Sequence, residues 1–285
     1  MRIRGKSIVL LALVTGAALF TTTGAQASDA SDGGSNGYVG ADGGGGASPM
    51  AVFGPDDRHQ VTSTTTYPER TAGLLTATTP NGPTQCSASL IGPGVVLTSG
   101  GCIHTGGPNG KFFTNVKFFP GRNGSSSPYG TCTPKVGGLY TTNGWRQSSD
   151  ERYDIGLLKL GGSCATIGNN IGYLGYVFTS TSEKNFVVGI PQYPGADHPT
   201  GTQWFASGKV LVSQTLQNFY NIDTSGGSAG APLVQNRPNG SAGCAGYCVI
   251  GVHSFAPHGS TAPHSQYNHG HRLTRVDGNQ ISSLG

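Results

Sequence analysis

Two packed β-barrels with few, short helices are expected for this chain. Glycine and proline recur too often for long helices, with 48 and 17 among 285 residues. Between those breakers lie short apolar and β-branched runs, and 35% of the residues are hydrophobic, enough to fill a core. No stretch repeats apolar residues at helical spacing for three turns.

Taken in order, the runs are TAGLLTATT from Thr71, CSASLI from Cys86, GVVLTS from Gly94, KFFTNVKFF from Lys111 and DIGLLKL from Asp154. FVVGI, WFASGKVLVS, CVIGVHS and HRLTR follow, each bounded by Gly, Pro, Asn or Ser. Ahead of them, residues 1–27 read as an export signal. Arg2, Arg4 and Lys6 precede an apolar stretch from Ile8 to Phe20, and Ala25-Gln26-Ala27 offers small residues for cleavage. That stretch is too short to span a bilayer permanently, so no membrane partner is expected. Residues 28–51 are rich in Gly, Ser and Asp and read as a spacer or pro-segment, too polar to offset the entropy of ordering.

The net charge of +4 is scattered, which argues against a nucleic-acid partner. An exported chain with six cysteines is expected to pair them, although six permit 15 connectivities. Cys244 and Cys248 are spaced to close a tight loop, and no C-x-x-C zinc spacing occurs.

Three segments carry chemical information: CSASLIGPGVVLTSGGC (86–102), YDIGLLKL (153–160) and TSGGSAGAPL (224–233). In this order they resemble the base, carboxylate and nucleophile segments of chymotrypsin-like serine proteases. VFGPDDRHQVTSTTTYPERTAG (52–73), PYGTC (128–132), TTNGW (141–145) and VHS (252–254) narrow the resemblance to bacterial glutamyl endopeptidases of the bacillary type, over residues 52–285. The resemblance implies an N-terminal barrel over about 52–160 and a C-terminal barrel over about 161–285, with the active crevice between them. It also implies a mature start at Val52 and a Cys86–Cys102 pair.

The same alignment of motifs places Gly101 where the catalytic base belongs and Ala229 where the nucleophile belongs, leaving Asp154 as the retained triad member. A glycine cannot accept a proton and an alanine has no oxygen with which to attack. The expectation is a secreted, monomeric pseudoprotease. The alternative is an endopeptidase cutting after Glu or Asp through Ser228 as nucleophile and His104 as base. Gly226-Gly227-Ser228-Ala229-Gly230 does spell an α/β-hydrolase elbow, but Pro232 and the all-β context contradict the helix that motif needs. His104 is expected to be a surface residue at a loop start.

By resemblance, the amides of Gly227 and Ala229 form an oxyanion hole. Thr224 and His253 line a pocket for an acidic side chain, so the expected partner is a peptide or protein bearing acidic residues. A protonated His253 would recognise the carboxylate, with affinity fading as pH rises past about 7. Asp154, without its imidazole, is expected to have a raised pKa and to recruit Ser254. His264, His269 and His271 lie close in sequence with no acidic residue among them, so no metal and no other cofactor is expected.

Overall fold

The computed structural model describes residues 51–241 and 243–285. The segment expected to be an export signal (1–27) and all but the last residue of the expected spacer (28–51) lie outside the described residues.

The strands are β1 (His59–Val61), β2 (Ala72–Thr79), β3 (Gly82–Gly92), β4 (Val95–Thr98), β5 (Thr114–Pro120), β6 (Pro134–Thr141), β7 (Gly156–Leu160), β8 (Gly175–Tyr176), β9 (Val187–Gln192), β10 (Gln203–Ser213), β11 (Gln217–Tyr220), β12 (Pro232–Ser241), β13 (Cys244–Phe255) and β14 (Asn268–Arg272). Helices α1 (Asn143–Ser148), α2 (Gly168–Ile171) and α3 (Arg275–Leu284) are short, and no described helix is long and apolar enough to cross a membrane.

Two sheets carry the fold. The first runs β5-β2-β3-β4-β7-β6. It curls until Phe118 in β5 exchanges both main-chain bonds with Cys132, each 2.8 Å, just before β6. The second runs β10-β11-β14-β13-β12-β9 and closes on itself through β9–β10, with β1 added beside β10 and β8 beside β13. The expected all-β, trypsin-like architecture is what the chain adopts.

Each barrel buries the inward-facing alternate residues of its strands. Leu75, Ala88, Leu90, Val96, Phe118 and Leu158 fill the first, and Val188, Ile190, Val210, Tyr220, Leu233 and Ile250 the second. At about 25 cal/mol per Å² of apolar surface, each fully buried large side chain contributes about 2 kcal/mol.

The N-terminal segment attaches to the other barrel from the one its sequence position suggests. β1 pairs with β10, and Ala51, counted with the spacer from its composition, is buried and bridges to Thr224. The sequence gives no cue to this, because the attachment depends on partners about 150 residues away.

Three disulfides join Cys86 to Cys102, Cys132 to Cys164 and Cys244 to Cys248, and no described cysteine is free. The first fastens the turn at residues 100–102 to β3. The second staples the segment just before β6 to the turn after β7.

Candidate active site

Between the barrels, the nucleophile-like loop 224–231 is fastened to the first sheet through Ser87 in β3. The Ser87 amide donates to the Ala229 carbonyl at 2.8 Å, and its hydroxyl donates to the Gly227 carbonyl at 2.9 Å. The same hydroxyl accepts from the Tyr193 amide at 2.8 Å. Gly227 and Gly230 take φ of +100° and +86°, where a side chain is strained. A Cβ at Gly230 would lie 2.1 Å from Thr98 Oγ1, so the close approach of loop and sheet also requires glycine. Within the loop, Ser228 N donates to Ser225 O and Ala231 N to Ser228 O, and Gly230 N donates to His253 O on β13. The Gly227 and Ala229 amides take no part in those three bonds.

The three positions that the resemblance marks come together. The Gly101 amide donates to Asp154 Oδ1 at 2.6 Å, and the Ala229 carbonyl lies 3.5 Å from Cys102 Sγ, one residue beyond Gly101. Asp154 is fully buried, and its Oδ2 has no hydrogen-bond partner among the described residues. Burial pushes the carboxyl up to about 6, against the opposing pull of the Gly101 amide. Ser254 Oγ donates to the main-chain carbonyl of Asp154 at 3.4 Å, not to a carboxylate oxygen, although its dipole beside the carboxyl offsets part of the burial.

Ser228 and His104 are placed away from this chemistry. The Ser228 hydroxyl is buried, donates to Gln192 Oε1 at 2.5 Å and accepts from the Ser225 amide at 3.1 Å, so it serves to hold the loop. His104 was expected at the surface, but it is only 3% exposed. Its ring packs edge-on against Phe112 and its Nδ1 accepts from the Gly106 amide at 2.9 Å. Burial and the Arg146 charge lower its pKa. The physical reason is Trp145, whose Nε1 donates to the His104 carbonyl and draws the segment inward.

Thr224 and His253 are both fully buried. Thr224 Oγ1 accepts from Asn268 Nδ2 at 2.9 Å, and its amide donates to the Ala51 carbonyl at 3.2 Å. His253 Nδ1 lies 2.9 Å from the Tyr220 hydroxyl, and its Nε2 has no hydrogen-bond partner among the described residues. Burial, with a smaller contribution from His269, lowers the His253 pKa to about 3. The ring is therefore neutral at physiological pH, not the imidazolium expected from the acidic ligand, because desolvation outweighs any attraction available in the free protein. Gln192, Tyr220 and Asn268 position these groups without having been singled out from the sequence, and Ser87, although inside the 86–102 segment, was given no role there.

The histidines after residue 257 separate into two environments. His271 joins its Nε2 to Asp277 Oδ2 at 3.0 Å and its Nδ1 to the Arg152 carbonyl at 2.7 Å. His269 instead turns towards Glu151, a carboxylate remote in sequence, which His258 also approaches. An acidic group thus does lie among these imidazoles.

No family model matches the chain. It is 37% identical over 225 residues to a glutamyl endopeptidase from Bacillus licheniformis, covering 79% of this chain and 66% of that protein, slightly under two thirds. It is 32% identical over 239 residues to an extracellular metalloprotease from Bacillus subtilis, covering 82% of this chain and 69% of that protein. Among solved structures, a Glu endopeptidase in complex with MPD superposes with a TM-score of 0.65 at 23% identity, over 81% of this chain and 98% of that one. Protease Anisep from Arthrobacter nicotinovorans gives 0.61 at 20% identity, over 75% and 95%. Sequence identity, motif order and barrel topology agree: the chain belongs to the bacterial glutamyl endopeptidase family of chymotrypsin-like serine proteases.

Proposed function

We propose that this protein is an exported pseudoprotease, which retains the family's crevice and binds peptides with acidic side chains without cutting them. The observation that carries this is the partnership of Asp154: its carboxylate accepts from a glycine amide, where a triad would supply an imidazole. Ala229, on the facing loop, brings a methyl group and no oxygen. Loss of one triad member already removes most of the rate that the triad supplies, about 10⁶-fold in the subtilisin series, and loss of a second adds little. The three disulfides suit an oxidising compartment outside the cytosol.

Two neutral donors support the acidic ligand. The Tyr220 hydroxyl, whose own ionisation burial suppresses, lies 2.9 Å from His253 Nδ1; with this hydroxyl as the donor, the neutral ring carries its hydrogen on Nε2, the atom we assign to the ligand. Thr224 Oγ1 already accepts from Asn268, so its hydrogen is available to a carboxylate. A fluorophosphonate probe is expected to leave the protein unlabelled, while calorimetry shows tighter binding of peptides ending in Glu than in Gln. Labelling at Ser228 contradicts the loss of catalysis, and equal affinity for the two peptides contradicts the ligand class.

A further inference from the structure

We propose that Glu151, His258 and His269 form a binding site for a divalent cation of the zinc type, with His264 packed alongside. The three come from separate parts of the chain. Glu151 lies on the 3-10 turn Glu151–Tyr153 leading to Asp154, His258 on the loop after β13, and His269 on β14. His258 Nε2 is 3.0 Å from the Glu151 carboxylate, His269 Nε2 is 3.5 Å from it, and all three ligand atoms lie within 4.8 Å of one another. Tetrahedral zinc with bonds of about 2.0–2.2 Å sets its ligand atoms about 3.3 Å apart, so the two distances to the carboxylate bracket what the ion requires.

Ring orientation is the stronger observation. His258 places its Nδ1 2.9 Å from the Ala256 carbonyl, and His269 places its Nδ1 3.3 Å from the Tyr267 carbonyl. With Nδ1–H committed to a carbonyl, each ring presents its Nε2 lone pair to the same point beside Glu151. A hydrogen bond from the far ring nitrogen to a carbonyl fixes tautomer and direction in histidine metal ligands. Nor can His269 turn freely: it is fully buried and stacks on Phe219 and Phe255, with centroids 5.1 and 5.4 Å away. His264 packs edge-on against both Phe219 and His269.

The Glu151 and His258 side chains are 35% and 34% exposed, leaving an entry path. Imidazole nitrogens with one carboxylate select zinc, cobalt, nickel or copper over calcium and magnesium, which need more oxygen ligands. A second cluster, Asp56, Asp197 and His198, lacks this quality because the Arg58 guanidinium already pairs with both carboxylates. A bound ion would clip the Asp154 turn to the β13–β14 loop of the second barrel.

The test uses the full chain, stripped with a chelator and titrated with Co²⁺ and separately with Zn²⁺. Expected are one Co²⁺ per chain with the intense visible absorption of a four-coordinate site, its displacement by Zn²⁺, and a rise in Tm with Zn²⁺ that Ca²⁺ does not reproduce. Removing the groups that hydrogen-bond to the ligands weakens such sites by about 10–100-fold. Removing a ligand through His258→Ala, or through the near-isosteric Glu151→Gln if the first variant does not fold, should therefore weaken Co²⁺ binding by at least about 100-fold. No cobalt absorption, equal stabilisation by Ca²⁺, or unchanged affinity in the folded variants would each overturn the site.

Discussion

Replacing Asp154 by Asn should stabilise the protein at neutral pH, the reverse of what loss of a hydrogen-bonded triad carboxylate would do. The carboxyl is raised from 3.8 to about 6 by burial. Each pKa unit corresponds to about 1.4 kcal/mol, so ionised Asp154 costs the native state about 3 kcal/mol. The sign follows from linkage: the native state holds this proton more tightly than the unfolded chain. The penalty is absent below about pH 4, develops between about 4 and 6, and is complete above 6. Asn is uncharged and can still accept from the Gly101 amide through Oδ1, as the protonated acid would. Urea unfolding at pH 4, 5, 6 and 7 should show Asp154→Asn ahead by about 3 kcal/mol at pH 7, with the gap closing to below about 1 kcal/mol at pH 4. A destabilised variant at pH 7, or a gap independent of pH, would mean that a positive partner compensates the carboxylate. The reasoning from an uncompensated Asp154 would then be refuted.

Further outcomes follow from other contacts. Arg58 is buried between Asp56 and Asp197 and donates to Ser225 Oγ at 2.8 Å; Arg58→Ala should cost about 3–5 kcal/mol in chemical denaturation, because it leaves Asp197 without its counter-charge. Gly230→Ala combines a positive φ with a clash against Thr98 and the Ser87 carbonyl, so a loss above about 3 kcal/mol is expected, with a lowered Tm as its readout. Ser228→Ala strips partners from Gln192 and the Ser225 amide and should cost about 1–3 kcal/mol without altering reactivity towards fluorophosphonates. His253 should stay neutral in NMR titration down to about pH 4, and Glu-peptide affinity should change less than about twofold between pH 6.5 and 8, whereas a tenfold decline would indicate an imidazolium donor.

The strands were legible where β-branched runs meet turn residues, as in TAGLLTATT and WFASGKVLVS, which became β2 and β10. Elsewhere local pattern misplaced the boundary. KFFTNVKFF begins its strand only at Thr114, and HRLTR contributes just His271 and Arg272 to β14 before Thr274 caps α3 in a capping box with Asp277. Motif order brought Asp154, Gly101 and Ala229 into one neighbourhood, and the raised pKa of Asp154 was expected from its missing imidazole partner. Burial set by distant packing could not be read: His104 goes inward with Trp145, and His253 loses its charge inside the second barrel. The Glu151 cluster was equally hidden, since its carboxylate and nearest imidazole are 107 positions apart.

Hydrolysis of a Glu-containing peptide by the native chain and by the double variant Gly101→His/Ala229→Ser, measured side by side, bears on catalysis without intermediaries. Silence from the native chain and cleavage after Glu by the variant are predicted, because the substitutions return a base beside Asp154 and an oxygen beside the retained loop amides. Cleavage after Glu by the native chain would contradict the assignment of a pseudoprotease.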